Sequence, residues 1–310
     1  MVCATYRRPA RLRRLIAALE AQTLDPSRFE VVLVDNASGD TTSAVIPELS
    51  RASNLTVRAL ATPSNHGPAP ARNLGWRSSD APLVAFVDDD VEPAPGWLLA
   101  GLDALRRDER LGIVQGRVEP PPASLGRMSP WSVVHRIDGP DPYFPACNLF
   151  LRRTALEETG GFDETIGWWG EDTALGWAVV DAGWGRGFAS DALAIHPVEV
   201  RSVSWNVRNG WNDRALVGLA KAHPGFRAEA FWRPWALRRR EALLALALVS
   251  SVAARRWPLT AVGVLPYLRD AQPPVGRRGW IRLGAETVLV DIARLAGGLA
   301  GSAKHRTVAL

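Results

Sequence analysis

Three consecutive aspartates, Asp88–Asp90, are the residues of this sequence whose types and spacing most directly suggest chemistry. They follow the apolar run Leu83–Val87, which is typical of a buried strand, and so stand where that strand would end. Adjacent carboxylates raise each other's pKa unless a cation neutralises them, and Mg²⁺ typically takes one or two carboxylates together with substrate phosphates. Because side chains alternate along a strand, Asp88 and Asp90 are expected on one side. The pattern predicts a cation and phosphate site, with a solvated acidic turn as the structural alternative.

A second acidic pair, Glu171 and Asp172, directly follows Trp168 and Trp169 and opens a predicted helix. Acidic residues in the first turn of a helix are stabilised by the helix dipole, which is the ordinary structural explanation for them. Indole rings can stack on sugar faces while their N–H groups donate to hydroxyls. The neighbouring acids and indoles therefore form a second candidate site.

The elements that must position these residues alternate between strand and helix in the first half of the chain. Apolar runs predict strands, and a helical spacing of apolar residues predicts the segments between them. The strands are expected at 2–5, 29–35, 55–60 and 83–87, and the helices at 11–22, 41–50 and 68–77. This alternation predicts an α/β fold with a nucleotide site at the carboxyl ends of its strands. No glycine-rich G-x-G-x-x-G segment follows the first strand, which argues against a dinucleotide-binding fold.

The second half of the chain has a different character. Strands are expected at 115–122 and 148–152, and helices at 154–159 and 170–183. Beyond about residue 211, arginine clusters alternate with long apolar stretches. We therefore expect a catalytic domain at 1–210, with a donor half at about 1–115 and an acceptor half at about 116–210, and a basic, mainly helical tail at 211–310.

Composition narrows the classes of protein that fit. With 310 residues, 47% of them hydrophobic and 22% charged, the chain is long and apolar enough for a large core and is not a disordered protein. Two cysteines, Cys3 and Cys147, form neither a metal motif nor a disulfide framework, which favours the reducing cytoplasm. The net charge of +5 suits anionic partners, but no nucleic-acid-binding module is recognisable. Because Met1–Thr5 already has the pattern of a strand end, we expect the natural start to lie upstream.

Five segments in the same order and spacing resemble family 2 glycosyltransferases of the GT-A fold. They are Val2–Pro9, Val32–Ser38, Asn65–Gly67, Ala71–Gly75 and Phe86–Asp90, the last standing in the place of the family's D-x-D signature. Arg7 stands where the family usually has asparagine. The resemblance covers roughly residues 1–200. It implies a Rossmann-like mixed sheet with helices on both faces, followed here by a C-terminal helical appendage.

The resemblance also implies roles for individual residues. The donor, a nucleotide sugar with UDP favoured, would be held by Thr5, Arg8, Asp35, Asn65, Gly67, Arg72, Asp88 and Asp89. Within that set, Thr5 and Asp35 would contact the base, Asp88 the ribose and Arg72 the phosphates. Asp35 as a helix cap and Arg72 as a solvated helix residue remain the structural alternatives.

The same resemblance implies a metal and a base. Asp90, with Asp88 and His196, would hold Mg²⁺ or Mn²⁺, although a histidine after a short apolar run is as often structural. Direct displacement at a sugar's anomeric carbon with inversion needs only one base, and we favour Asp172 for it, with Glu171 binding the acceptor. Trp168 and Trp169 are the candidates for the acceptor wall.

The tail leaves two interpretations open. Neither the apolar stretch at 242–254 nor the one at 257–268 reaches the roughly 20 residues that a spanning helix needs. Flanking arginines and tryptophans suit an interfacial helix on an anionic membrane, and a buried helical subdomain fits equally well. A membrane-bound tail would place the protein on the inner face of the plasma membrane and favour a lipid-linked acceptor.

The sequence therefore predicts an inverting, metal-dependent glycosyltransferase that acts on a glycan or lipid-linked hydroxyl in cell-envelope synthesis. A sugar nucleotidyltransferase is one alternative, but the first strand is not followed by the glycine-rich phosphate loop that such enzymes need. A catalytically inactive, glycosyltransferase-like binding subunit is the other. The intact acids at 88–90 and 171–172 argue against it.

Overall fold

An eight-stranded mixed sheet with helices on both faces organises the chain as far as Ile195. The computed structural model describes residues 1–127, 131–253, 265–269 and 280–309. The strands are β1 (Val2–Thr5), β2 (Glu30–Asp35), β3 (Thr56–Ala61), β4 (Leu83–Val87), β5 (Glu92–Pro93), β6 (Leu111–Glu119), β7 (Asn148–Arg152) and β8 (Gly185–Ile195). The helices among them are α1 (Pro9–Glu20), α2 (Thr42–Ala52), α3 (Pro68–Arg77), α4 (Trp97–Arg107), α5 (Arg153–Thr159) and α6 (Glu171–Asp181). The predicted α/β fold with a mixed sheet is confirmed.

The strand order β3-β2-β1-β4-β7-β6-β8-β5 determines which loops meet. The first four strands pair in parallel, so the residues that follow Thr5, Asp35 and Val87 lie at one edge of the sheet. Strand β7 runs antiparallel to β4, and its first residue, Asn148, pairs with Val87. The segment that precedes β7 therefore reaches the same edge, where parallel α/β sheets bind their ligands.

Side-chain alternation along β1 distributes the helices between the two faces of the sheet. Cys3 belongs to a core that also contains Leu12 and Leu15 of α1. Its neighbour Val2 lies on the opposite face against α3, where Gly75 allows close approach: a Cβ atom at Gly75 would lie 2.4 Å from the Val2 side chain. Helix α3 is therefore pressed directly onto the strands that end at the candidate site.

The residues after Val198 belong to a second compact unit, which is mainly helical. The first unit comprises Met1–Arg127 and Val134–Val198, and the second comprises the described residues of Met128–Val133 and Glu199–Leu310. The helices of the second unit are α7 (Val203–Gly210), α8 (Asp213–Ala222), α9 (Pro224–Ala230), α10 (Arg239–Ala253) and α11 (Trp280–His305). The boundary expected at 210 falls at the end of α7. That helix belongs to the second unit because Gly210 packs against Arg294 of α11.

The division of the catalytic domain near residue 115 falls inside β6 and stays a prediction. Of the predicted apolar stretches in the tail, 242–253 lies in α10, whereas 257–264 lies outside the described residues. Within the described part of the chain, we find no helix with both the length and the apolar character needed to cross a bilayer.

Candidate functional site

The aspartate cluster, Asp88–Asp90, lies in a turn and not on the strand itself. Strand β4 ends at Val87, and the backbone N–H of Val91 donates to the carbonyl of Asp88 at 3.2 Å. Strand alternation therefore cannot place Asp88 and Asp90, because the turn interrupts the two-residue period, and their position on one side stays a prediction. Each aspartate has instead its own set of partners.

Asp89 is buried and ties the cluster to the end of β1. One of its carboxylate oxygens accepts from the Thr5 hydroxyl at 2.7 Å, and the other accepts from the Arg8 guanidinium at 2.8 Å. Burial raises the pKa of Asp89, against the opposing effects of Arg8 and Thr5. Two residues predicted to bind the donor, Thr5 and Asp89, thus bind each other.

Asp90 faces two arginines and a histidine. Its Oδ2 atom accepts from Arg8 at 2.9 Å and from Arg11, while its Oδ1 atom lies 3.6 Å from Nε2 of His196. His196 is itself buried, and its Nδ1 atom contacts the carbonyl of Pro197 at 2.9 Å. The structure therefore brings together Asp90 and His196, two of the residues predicted to hold a metal.

The chemistry of these side chains fits a divalent cation that completes its coordination with phosphates. Among the described residues, no three histidine, cysteine, aspartate or glutamate side chains are arranged as a metal cage. Mg²⁺ does not need one, since one or two carboxylates and substrate phosphates commonly suffice. Asp90 offers an oxygen next to an imidazole nitrogen, and the Asp88 side chain is 33% exposed. In the structure Arg8 and Arg11 balance the charge of Asp90.

Arg72 joins the aspartate cluster to the second acidic pair. From α3, its guanidinium donates to Asp88 at 2.8 Å and to Glu171 at 2.6 Å. Burial would lower the pKa of Arg72, but the charges of Asp88 and Glu171 outweigh it and raise that pKa. Asp88 is itself partly buried, and the guanidinium holds its pKa below the usual value. The sequence predicted that Arg72 faces phosphate, and here it is paired at both ends with carboxylates.

Asp172 follows Glu171 at the start of α6 and has a raised pKa. Burial, reinforced by the negative charge of Glu171, raises its pKa to about 7, although Arg72 opposes the shift. Its carboxylate accepts from the backbone N–H groups of Ala146 at 3.1 Å and Thr173 at 2.8 Å. A carboxylate with a pKa near neutrality can accept a proton during a reaction and release it afterwards.

Asp35 and Asn65 belong to hydrogen-bonded loops at the same edge. The Asp35 carboxylate accepts from the backbone of Ser38 at 3.0 Å and from the Ser43 hydroxyl, so it stabilises the β2–α2 loop. Asn65 Oδ1 accepts from the Asn36 side chain at 3.0 Å and from the backbone of Gly67 at 3.1 Å. The structural alternative for Asp35, the N-cap of a helix, is wrong, because Thr41 holds that position in α2. The contact of Asp35 with a base stays a prediction.

Gly67 is required by geometry, and we expect Gly67→Ala to lower the free energy of unfolding by about 1–3 kcal/mol. Its φ of +100° is a glycine conformation, and a Cβ atom there would lie 2.4 Å from the carbonyl oxygen of Gly167. Chemical denaturation measures the change. Gly39→Ala is the control, because Gly39 also has a positive φ, +62°, but has no atom within 4 Å of its Cβ position. Equal losses in the two variants would show that the contact with Gly167 does not matter.

Trp168 and Trp169 lie on the loop directly before α6. Their residues are 64% and 39% exposed, and Gly167 and Gly170, both with positive φ, flank them. Gly170 is also the N-cap of α6, so the loop leads directly into Glu171. The two indoles are thus available to a ligand beside the acidic pair, and their contact with an acceptor stays a prediction.

Two residues of the site were missed from the sequence. Arg11 lies one turn after Arg8 at the start of α1, a spacing that could have indicated a shared partner. His135 lies with its ring centroid 4.3 Å from that of His196, and it is one of the groups that lower the pKa of Asp88. It belongs to a stretch without clear periodicity, so no pattern distinguished it.

Comparison with curated proteins gives relatives that are glycosyltransferases. The chain is 29% identical over 227 residues to the pre-mycofactocin glycosyltransferase of Mycobacterium tuberculosis, a match that covers 69% of this chain and 45% of the relative. It is 29% identical over 269 residues to validoxylamine A glucosyltransferase of Streptomyces hygroscopicus subsp. limoneus, covering 75% of this chain and 58% of the relative. The chain thus spans about half the length of these two relatives.

Solved structures show the same fold. A mannosyltransferase from Pyrobaculum calidifontis, in complex with GDP-Man and Mn²⁺, has a TM-score of 0.68 at 21% identity, with 95% of this chain and 86% of that chain covered. Residues 1–349 of S. aureus TarS, in complex with UDP-GlcNAc, have a TM-score of 0.54 at 15% identity, with 99% and 91% covered. The family model "Glycosyl transferase family 2" matches residues 1–162, which is more than half of the chain. With its GT-A fold and with its aspartate cluster at the ligand edge of the sheet, the chain belongs to glycosyl transferase family 2.

Proposed function

We propose that this protein transfers a sugar from a nucleoside-diphosphate donor to a hydroxyl acceptor, with inversion at the anomeric carbon. The observation that carries the proposal is the pairing of Arg72 with both Asp88 and Glu171. It joins the turn after β4, where a donor diphosphate would bind, to the start of α6, where Asp172 has a pKa of about 7. A donor site and a candidate base are thereby held next to each other.

The donor would lie at the carboxyl ends of β1, β2 and β4. Backbone and side-chain groups around Thr5, Asp35 and Asn65 would contact the nucleoside, and Arg8 and Arg11 would contact the phosphates, since guanidinium groups pair well with phosphate oxygens. The mannosyltransferase and TarS structures, solved with GDP-Man and with UDP-GlcNAc, support a nucleotide sugar in this fold. We favour a UDP-sugar, following the habit of the family.

Asp90, Asp88 and His196 would hold Mg²⁺ or Mn²⁺. When bound, such an ion neutralises the negative charge that develops on the leaving diphosphate. Arg8 and Arg11 would provide further positive charge for the diphosphate. They pair with Asp90 in the structure and would be free to bind phosphate when a cation takes their place at Asp90. The Mn²⁺ in the complex of the P. calidifontis mannosyltransferase supports this assignment.

Asp172 would remove the proton from the acceptor hydroxyl. A single base is enough for a direct displacement that inverts the anomeric carbon, so no second nucleophilic carboxylate is needed. Glu171 was expected to bind the acceptor, but its Oε1 atom is held by Arg72. We assign it instead to the charge balance that sets the pKa of Asp172.

The acceptor would approach past Trp168 and Trp169, which precede the acidic pair. Their exposed indoles suit a sugar ring, because an apolar face stacks while the N–H donates to a hydroxyl. One relative is the N-acetylglucosaminyl-diphospho-decaprenol L-rhamnosyltransferase of Mycobacterium tuberculosis, 28% identical over 235 residues. We accordingly propose a glycan or lipid-linked acceptor of the cell envelope and a reaction on the cytoplasmic side.

A thermal-shift screen of nucleoside diphosphates, with and without Mn²⁺, tests the proposal. We expect one nucleotide to raise Tm only when the metal is present, because a cation must offset the repulsion between the aspartates and the diphosphate. Asp90→Asn should remove the metal-dependent part of the shift, and Asp103→Asn, on the exposed side of α4, should not. If no nucleoside diphosphate raises Tm in either condition, the proposal is wrong.

A further inference from the structure

The charge of the chain is divided unevenly between its two parts. Residues 199–310 contain 18 arginines and lysines against 7 aspartates and glutamates, a net charge of +11, whereas residues 1–198 contain 19 against 25, a net charge of −6. Three of the seven acids, Asp213, Glu241 and Asp291, are buried. Arginine therefore dominates the charge that the second unit presents to solvent, which suits an anionic surface.

Residues Trp232–Trp235, which we call the tryptophan turn, display two large indoles on a rigid support. Backbone N–H groups of Arg233 and Ala236 each donate to the other's carbonyl, at 3.1 and 2.9 Å, and Trp232 donates to Leu237 at 3.1 Å. The two indoles meet edge to face with 6.5 Å between their centroids. Trp232 and Trp235 are nevertheless 41% and 44% exposed. The turn thus holds its largest apolar side chains in solvent.

Arg227 of α9 fixes the tryptophan turn in place. Its guanidinium donates to the carbonyl of Pro234 within the turn, to the Thr307 hydroxyl at 3.2 Å and to the carbonyl of Val308. Val308 is 69% exposed. The Arg227 guanidinium therefore orders the tryptophan turn and the C-terminal segment together. Because the turn is already ordered, it loses little further conformational entropy when it binds a surface.

The long helices of this unit also expose apolar residues at helical spacing. Leu246 and Val249 of α10 are 52% and 65% exposed, and they lie three residues apart. On α11, Leu289, Ile292 and Leu299 are 54%, 46% and 51% exposed, with spacings of three and seven that place them on one face. Each helix therefore has exposed apolar residues on one side that the described residues of the second unit do not cover.

We propose that the second unit docks on an anionic bilayer surface, with Trp232 and Trp235 at headgroup level and Arg233 on lipid phosphates. Indoles prefer the membrane interface because an apolar ring and a polar N–H suit the boundary between lipid and water. Arg233 stacks on Trp232, with its guanidinium carbon 4.9 Å from the ring centroid, and so carries its charge with the indole. A second copy of the chain is a poorer occupant, because two segments that each carry a net charge of +11 repel each other. The inference does not depend on the proposed sugar transfer.

Flotation of the full chain with vesicles tests this docking. We expect binding to equimolar phosphatidylcholine and phosphatidylglycerol vesicles, none to phosphatidylcholine alone, and weaker binding at about 0.5 M than at about 0.05 M NaCl. The double variant Trp232→Ala/Trp235→Ala should need about tenfold more lipid for half-maximal binding. Trp184→Ala, which removes a partly exposed indole from the first unit beyond the C-terminal end of α6, is the matched control and should bind lipid like the parent.

Two further measurements keep the result interpretable. Tm shows whether the double variant is folded, and quenching of the parent protein's tryptophan emission by brominated phosphatidylglycerol reports insertion without any variant. Failure to float on anionic vesicles at low salt, absence of quenching, or unchanged lipid binding by a folded double variant would each overturn the proposal. The proposal would also be overturned if the protein did not bind vesicles and instead formed a dimer that is lost in the double variant.

Discussion

Asp172→Asn is expected to lower kcat by about 10²–10⁴-fold while the affinity for nucleotide stays unchanged, because it removes a single positioned base. The amide keeps the size of the side chain and can still occupy the place beside the backbone of Ala146 and Thr173. It cannot accept the acceptor's proton. The measurement is the initial rate of nucleoside-diphosphate release from the donor that the thermal-shift screen identifies, with the acceptor or with water in its place.

The pH dependence of kcat/KM is a second, independent test of Asp172 as the base. The base must be ionised to act, and burial and Glu171 raise the pKa of Asp172 to about 7. In the parent protein kcat/KM should therefore rise with pH and level off above about pH 7. The residual activity of Asp172→Asn should lack that rise.

Ionisation of Asp172 should lower the free energy of unfolding as pH rises, whereas it raises kcat/KM. An aspartate has a pKa of about 3.9 when unfolded, so the folded state binds more protons than the unfolded state between about pH 4 and pH 7. The raised folded pKa thus favours folding below about pH 4, and this contribution is lost as pH rises through about 7. Asp172→Asn removes the ionisable group, so its stability relative to the parent should increase from pH 5 to pH 8 in chemical denaturation.

Asp181→Asn, at the other end of α6, is the control for these experiments. It makes the same chemical change on the same helix without touching the acidic pair, and its rate and pH profile should match those of the parent. Near-normal turnover in Asp172→Asn would refute the assignment of the base. A large loss in Glu171→Gln, with Asp172→Asn active, would transfer the role to Glu171.

The donor side of the fold could be predicted because three of its strands, β1, β2 and β4, are buried along nearly their whole length. Strand β2 is a nearly continuous apolar run, and the helices between the strands show clear apolar spacing, so both give strong signals. Strand β8 gave a weak one. It extends over Gly185–Ile195, but only its last four residues form an apolar run, because Arg186 and Asp191 interrupt the pattern. Its place beside β6 depends on pairing that no local pattern records.

The site was predictable as two clusters and not as one arrangement. Residue types and family-like motifs pointed to Asp88–Asp90 and to Glu171 and Asp172. Their connection is a contact between Arg72 and Glu171, which are 99 residues apart in the chain, so sequence spacing carries no information about it. An arginine beside a predicted phosphate site suggests a phosphate ligand, and only the folded chain shows that two carboxylates already pair with it.

Arg72→Gln should lower the free energy of unfolding by about 3–5 kcal/mol, because it leaves buried Glu171 without its charge partner. Chemical denaturation measures this loss. Arg77→Gln is the matched control on the same helix: its partner Glu164 lies 3.5 Å away and both side chains are about half exposed, so the change should stay within about 1 kcal/mol. Arg72→Gln should also move the rise in kcat/KM to a pH above 7, because Arg72 opposes the upward shift in the pKa of Asp172.

The double variant Arg72→Gln/Glu171→Gln separates charge balance from packing. If the loss in Arg72→Gln comes from an uncompensated carboxylate, neutralising Glu171 should recover a large part of the stability, and the two changes will not be additive. It should also remove the largest charge that raises the pKa of Asp172, so the rise in kcat/KM should return toward lower pH. Additive losses in stability, or a pH profile that is the same in Arg72→Gln, Glu171→Gln and the double variant, would mean that Arg72 does not couple the two clusters. Arg72→Lys offers an intermediate case, since an ammonium keeps the charge but lacks the planar fork that contacts Asp88 and Glu171 together.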